Sequence, residues 1–230
     1  MKHFRINKPR QETRGGAKVM KAVRLRVAVS AAAMALFLPA ASYAGALQEK
    51  IEYCKSCHGP QGEGVHAFYL APRLAGQQVD YLKNQFNAIA HGTRDTPPAK
   101  IFMVPVIKSV PPSMQGVIAK YFSGLDPRPA ADGPRNLVAQ GKKIYEEGVP
   151  DENIPACAVC HGEGAKGQDQ IPRLAGQYYS YMVAQLTGWK KGLRAKDPVN
   201  KGDDNTMVPI AASLNQRQIQ AVAAFLSYQR

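Results

Sequence analysis

The sequence predicts an all-α protein of two tandem domains joined by a Pro-rich linker. Three observations carry that reading. The pentapeptide Cys54-Lys55-Ser56-Cys57-His58 returns as Cys157-Ala158-Val159-Cys160-His161. Apolar residues recur at helical spacing towards the end of each half. No stretch sustains the period-two alternation of a half-buried strand, so strands are not expected.

The repeat is wider than the pentapeptide. Cys54 and Cys157, like His58 and His161, are 103 positions apart. Pro72-Arg73-Leu74-Ala75-Gly76-Gln77 recurs 100 positions later as Pro172-Arg173-Leu174-Ala175-Gly176-Gln177. Tyr81, Gln85 and Arg94 match Tyr181, Gln185 and Arg194 at that offset, and Met103-Val104-Pro105 matches Met207-Val208-Pro209 at 104. The small drift means that the halves are collinear. Between them lies a segment rich in proline, residues 126–134. The division is therefore 1–44 targeting segment, 45–126 first domain, 127–134 linker and 135–230 second domain.

Helices are expected in order in each half. Short ones precede the Cys motifs, near Ala46–Tyr53 and Leu137–Glu147, the second half then carrying an insertion over Glu146–Pro155. Middle helices follow near Asp80–His91 and Ser180–Lys191. The last helix of the first half places Met114, Val117, Ile118, Tyr121 and Phe122 on one stripe, with Pro112 in its first turn. Its counterpart places Ile219, Val222, Ala223 and Leu226 likewise, with Asn215 as N-cap. Each half has a marginal apolar core for its size, so a bound apolar group is expected to be coupled to folding.

The N-terminus reads as an export signal. Lys18, Lys21, Arg24 and Arg26 precede the short apolar run Val27–Leu38, and Ser42-Tyr43-Ala44 is an end of small residues. The run is short for a membrane span, an uncleaved anchor being the alternative. Met20-Lys21 would itself open a signal of ordinary length, so translation starts at Met1 or Met20. Residues 1–44 hold nine Lys/Arg and one acid, so the net charge of +13 falls to +5 in the remainder. The basic balance is thus largely a property of the targeting segment. No nucleic-acid motif accompanies it, and no nucleic-acid partner is expected.

The two pentapeptides use all four cysteines of the chain. C-x-x-C-H is the pattern of covalent c-type haem attachment. Two thiols two residues apart can meet the two vinyl groups of one porphyrin, and the adjoining histidine can ligate the iron. Paired cysteines also suit structural zinc, a redox dithiol or disulfides, but none of these requires histidine after both pairs. Two haem c groups are therefore expected, held by Cys54 and Cys57 and by Cys157 and Cys160, with His58 and His161 on the irons.

The opposite axial ligand decides the chemistry: a thioether closes the iron into an electron carrier, and an open site permits catalysis. Met103 and Met207 lie 45 and 46 residues after their histidines, both in a Met-Val-Pro context. The proline favours an irregular loop there. Core filling is the alternative, since methionine packs adaptably. Met114 and Met182 lie on helical stretches without a methionine counterpart and read as core. His66 and His91 lack a histidine counterpart and read as surface or supporting residues. Trp189 is expected to pack near a haem. Pro72 and Pro172 either open a turn or offer carbonyls to the histidines. Arg73, Arg94, Arg173 and Arg194 either pair with haem propionates or are solvated.

The tandem C-x-x-C-H-G motifs, the paired PRLAGQ segments, the paired M-V-P segments and the DPRPA linker resemble the diheme cytochrome c4 family, over roughly Ala46 to Gln229. The resemblance implies two cytochrome c-like haem domains, His/Met ligation at each iron, and proline carbonyls at 72 and 172 held by the ligating histidines. It also implies a periplasmic electron carrier, loosely attached to the inner membrane. Its redox partners would be a quinol-oxidising cytochrome complex and a terminal oxidase or dehydrogenase. The chain departs from the pattern in its first nineteen residues and at Val110-Pro111-Pro112. The alternatives are a cytochrome subunit of a periplasmic dehydrogenase, or a small diheme enzyme with one open haem.

Overall fold

In the computed structural model, residues 42–66, 70–194 and 207–230 are described. The positive n-region and the apolar run read above as an export signal lie outside them. The chain divides into two units, Met1–Gln48 and Glu49–Arg230. Residues 42–48 of the first are helical. Among the described residues no single helix is long and apolar enough to cross a membrane.

The second unit is built almost wholly from helices. Helix α1 covers residues 49–58 and ends on the first Cys motif. Two-residue strands β1 (Val65–His66) and β2 (Leu70–Ala71) pair antiparallel, with Val65 opposite Ala71. Sequence patterning did not anticipate this hairpin. It uses the extra length of the first half, where histidine and proline are 14 positions apart against 11 in the second. Two residues per strand are too few for a periodic signal.

Helix α2 (Val79–Ala90) follows, then a π-helical turn (Ala99–Met103) that leads into α3 (Val104–Lys108), and α4 (Pro112–Ser123). Pro112 occupies the first turn of α4, where no amide donor is missed. Met114, Ile118 and Phe122 are buried, but Val117 is exposed, so the apolar stripe is narrower than its spacing suggested. A small apolar cluster gathers Ile89, Ala99 and Ile107, with Met103 against it.

In the second half a 3₁₀ turn (Arg135–Leu137) leads into α5 (Val138–Glu147). The inserted segment forms another turn (Pro150–Glu152), closed by a bridge between Val149 and Ile154. Then come α6 (Ala158–His161), α7 (Tyr179–Lys190), α8 (Met207–Ser213) and α9 (Gln216–Ser227). Helix α9 opens with a capping box: Gln218 N–H donates to the Asn215 side chain, and Asn215 N–H donates to Gln218 Oε1. Ile219, Val222, Ala223 and Leu226 are all buried, as their spacing predicts. Helices α5 and α9 cross so closely at Gly141 that a Cβ there would strike the Ala221 carbonyl.

The linker is laid along the second half. Ala130 N–H donates to Gly176 O at 3.0 Å, and Ala131 N–H to Ser227 O at 2.8 Å. The halves also meet directly, with backbone donors of the first half on carbonyls of the second. Tyr81 N–H donates to Asp169 O at 3.2 Å, and Asp95 N–H to Leu193 O at 2.9 Å. His66 on the hairpin stacks on Tyr178 and lies 2.9 Å from Ser180 Oγ.

Candidate haem centres

Each Cys motif is carried on a helix that ends at its histidine. At both ends the next residue is a glycine with positive φ, Gly59 (82°) and Gly162 (79°), which turns the chain away at little steric cost. Neither pair of cysteines is joined by a disulfide. The inner thiol of each pair is half-buried, and burial pushes Cys54 and Cys157 up to about 11. Cys57 and Cys160 are exposed.

The histidines are placed alike. His58 is 5 % exposed and His161 8 %. His58 Nδ1 lies 2.9 Å from Pro72 O, and His161 Nδ1 lies 3.1 Å from Pro172 O. A carbonyl can only accept, so each Nδ1 carries the proton and each Nε2 keeps its lone pair. Burial is the largest influence on both rings and lowers their proton affinity, opposed by the proline carbonyls. The neutral ring is the form that ligates a metal. The turn-only reading of Pro72 and Pro172 therefore gives way to the carbonyl reading.

Met103 and Met207 are each half-buried. Met207 packs against the core cluster of the second half, which also receives Cys157. The Met-Val-Pro segments are not irregular loops, as proline had suggested. Met103 closes the π-helical turn just before α3, and Met207 is the first residue of α8. Proline falls in the first turn in both cases, where it does not interrupt a helix. Met114 and Met182 are core residues, each 6 % exposed. His91 is exposed and its Nδ1 bonds back to Asn87 O. Trp189 is buried, with the Arg194 guanidinium 4.1 Å above its ring.

The solvated reading of the arginines fails. Arg94, Arg173 and Arg194 are buried, and Arg73 is half-buried. Arg94 donates to Gln85 Oε1 in its own half at 2.6 Å and to Tyr181 Oη in the other half at 2.6 Å. Arg194 reciprocates, reaching Gln185 at 3.1 Å and Gln85 at 3.2 Å. Arg73 donates to the carbonyls of Glu63 and Arg128. Arg173 differs: its Nε and Nη2 are buried without an acceptor. Burial, reinforced by the charge of Arg73, lowers its proton affinity. A buried guanidinium in that state calls for an anion. A porphyrin carrying carboxylates fits this set of groups: paired thiols, neutral imidazoles with free Nε2, a half-buried thioether in each half at Met103 and Met207, and an unanswered guanidinium.

Sequence reasoning missed Gln77 and Gln177. Their register in the repeat was visible, but their bonds to the opposite half depend on how the halves meet.

The cytochrome c family model matches residues 138–229. The chain is 36% identical over 208 residues to the thiosulfate dehydrogenase electron acceptor of Thiomonas intermedia, covering 89% of this chain and 91% of that one. It is 33% identical over 194 residues to cytochrome c4 of Azotobacter vinelandii, covering 81% and 89%. The solved cytochrome c4 of Acidithiobacillus ferrooxidans superposes with a TM-score of 0.68 at 34% identity, covering 76% of this chain and 97% of that one. With the helical fold, two haem-attachment motifs and two imidazoles held by proline carbonyls, these likenesses make the protein an electron carrier with two covalently attached haems: the chain belongs to the cytochrome c4 family.

Proposed function

We propose that Cys54 and Cys57 hold one haem and Cys157 and Cys160 the other, with His58 and Met103 on the first iron and His161 and Met207 on the second. The observation that carries this is the paired bond of His58 to Pro72 O and of His161 to Pro172 O. Such a bond fixes the tautomer and orientation of a metal-ligating imidazole and raises its basicity. Finding it twice, in register, supports two equivalent centres. Bound haem supplies one-electron exchange between ferric and ferrous iron. The chain's own part is to hold the imidazoles neutral, exclude water with the two apolar clusters, and supply Arg173 to a propionate. We read residues 1–44 as an export signal to the periplasm, 45–126 and 135–230 as the haem domains, and 127–134 as their linker.

A redox titration followed by optical spectra tests the ligands. Two haems with the far-red band of thioether-bound ferric iron are expected. Prompt stoichiometric binding of carbon monoxide to the reduced wild type at one haem would show an open site and overturn this set.

The electron donor in this reading is a quinol-oxidising cytochrome complex and the acceptor a terminal oxidase. A periplasmic dehydrogenase as donor is the second reading, favoured by the 36% identity to a protein named as the electron acceptor of thiosulfate dehydrogenase. Stopped-flow reduction by each purified donor separates them. Rapid reduction by the dehydrogenase and none by the quinol-oxidising complex would decide for the second.

A further inference from the structure

The bonds that hold the two histidines continue across the boundary between the halves. Gln77 Oε1, in the first half, accepts from Arg173 N–H at 2.8 Å, and Gln77 Nε2 donates to Arg173 O at 3.0 Å. Gln177, in the second half, does the same to Arg73, at 3.0 Å for both bonds. Both glutamines are 7 % exposed. Each Oε1 also accepts from the next backbone N–H, Gln78 at 2.9 Å and Tyr178 at 3.0 Å. Two N–H donors on one atom fix the amide orientation.

The N–H of Arg173 and the carbonyl of Pro172 belong to one peptide unit. That carbonyl is the one that accepts from His161 Nδ1–H. The chain is therefore continuous: Gln77 Oε1, Arg173 N–H, Pro172 C=O, His161 Nδ1–H. The mirror chain runs from Gln177 through Arg73 and Pro72 to His58. A peptide is conjugated and planar. An acceptor on its N–H drives electron density onto its oxygen, so hydrogen bonds in such a chain strengthen one another by about 10–30 % each.

We propose that Gln77 and Gln177 are crossed positioning residues, each tuning the axial histidine of the opposite half. Gln77 sets the basicity of His161 at the second centre, and Gln177 sets that of His58 at the first. This rests on the histidine ligation proposed above. Removing the acceptor weakens the proline carbonyl, and the imidazole then gives less charge to the iron. Ferric iron loses the most by this, so the potential of that centre rises.

The test is Gln77→Leu in the haem-loaded full chain. Redox titration, with NMR assignment of each centre, should show the second potential raised and the first unchanged. The ring N–H proton of His161 should move upfield, and that of His58 should stay. Gln177→Leu should give the mirror result and is the independent variant if the first does not fold; alanine replaces leucine where leucine prevents folding. Gln78→Ala is the control. It removes bonds to Lys166 O and Gly167 O across the same boundary without touching residue 173. It should leave both potentials in place. An unchanged second potential in Gln77→Leu, a shift confined to the first centre, or an equal shift in Gln78→Ala overturns the proposal. The ligand reading fails separately, through carbon monoxide binding to the wild type.

Discussion

Gly141→Ala sets two effects of opposite sign against each other. Gly141 lies inside α5 at its crossing with α9. Alanine in a helix interior is favoured over glycine by about 1 kcal/mol. Against this, the new Cβ would strike the Ala221 carbonyl and come within 2.8 Å of Phe225 Cβ. The first obstacle is helical backbone, which has no rotamer to adopt. The two helices must separate, opening a gap along Ile144 and Tyr145 on one side and Ala221, Val222 and Phe225 on the other. A gap of about 1 Å forfeits up to about half of the dispersion energy at each contact. Overpacking of this kind costs about 1–3 kcal/mol, and a rigid obstacle places it at the upper end. The net is a loss of about 2 kcal/mol, or a fall in Tm of about 4–8 °C for a chain of this size. Thermal unfolding of the haem-loaded protein by circular dichroism reads it directly. Gly116→Ala is the comparison, because nothing lies within 4 Å of a Cβ at Gly116 in α4. There propensity acts alone, and Tm should rise by about 2–4 °C. Equal rises in the two variants would refute the close crossing.

Three other outcomes follow from the site and its supports. Met103→Ala and Met207→Ala should each remove about half of the far-red thioether–iron absorption, one of two equivalent bands; if Met207→Ala leaves the full band, its assignment is wrong. Arg173→Met should lower the potential of the second haem, since it removes a buried positive charge that ferrous iron tolerates better than ferric; an unchanged potential in redox titration counts against the propionate pairing. Asn215→Ala breaks the capping box at the start of α9 and should cost about 1 kcal/mol in denaturant unfolding, with the spectrum of both haems retained.

What was legible in the sequence was whatever depends on local spacing. The Cys motifs, the capped helix α9 and the register of Met103 with Met207 are local or repeated patterns. The helix bounds came within a residue for α2 and α7. The hairpin at Val65–Ala71 was missed because its strands are two residues long. The Met-Val-Pro segments were misjudged because proline is equally at home in a helix's first turn and in a loop, and residues nearby do not separate the two. The arginines were open for a different reason. Their burial depends on which surface of one half covers the other, and repeat offsets do not encode a docking geometry.

Duplication explains why one short segment carries so much. After a single domain is copied, each copy of PRLAGQ meets a surface that came from the same sequence. A backbone donor and acceptor exposed on one copy then find a glutamine on the other, and the arrangement closes on itself, Gln77 on Arg173 and Gln177 on Arg73. The symmetry is not complete. Arg73 finds its acceptors in Glu63 and in the linker at Arg128, whereas Arg173 has no linker to bond and keeps Nε and Nη2 unanswered. The linker exists once in the chain, so it can satisfy only one of two related arginines. That inequality falls one residue from each proline that holds a histidine. Two centres built from one motif are thereby given different surroundings: one arginine is held by the linker, and the other is left to meet the propionate proposed for it.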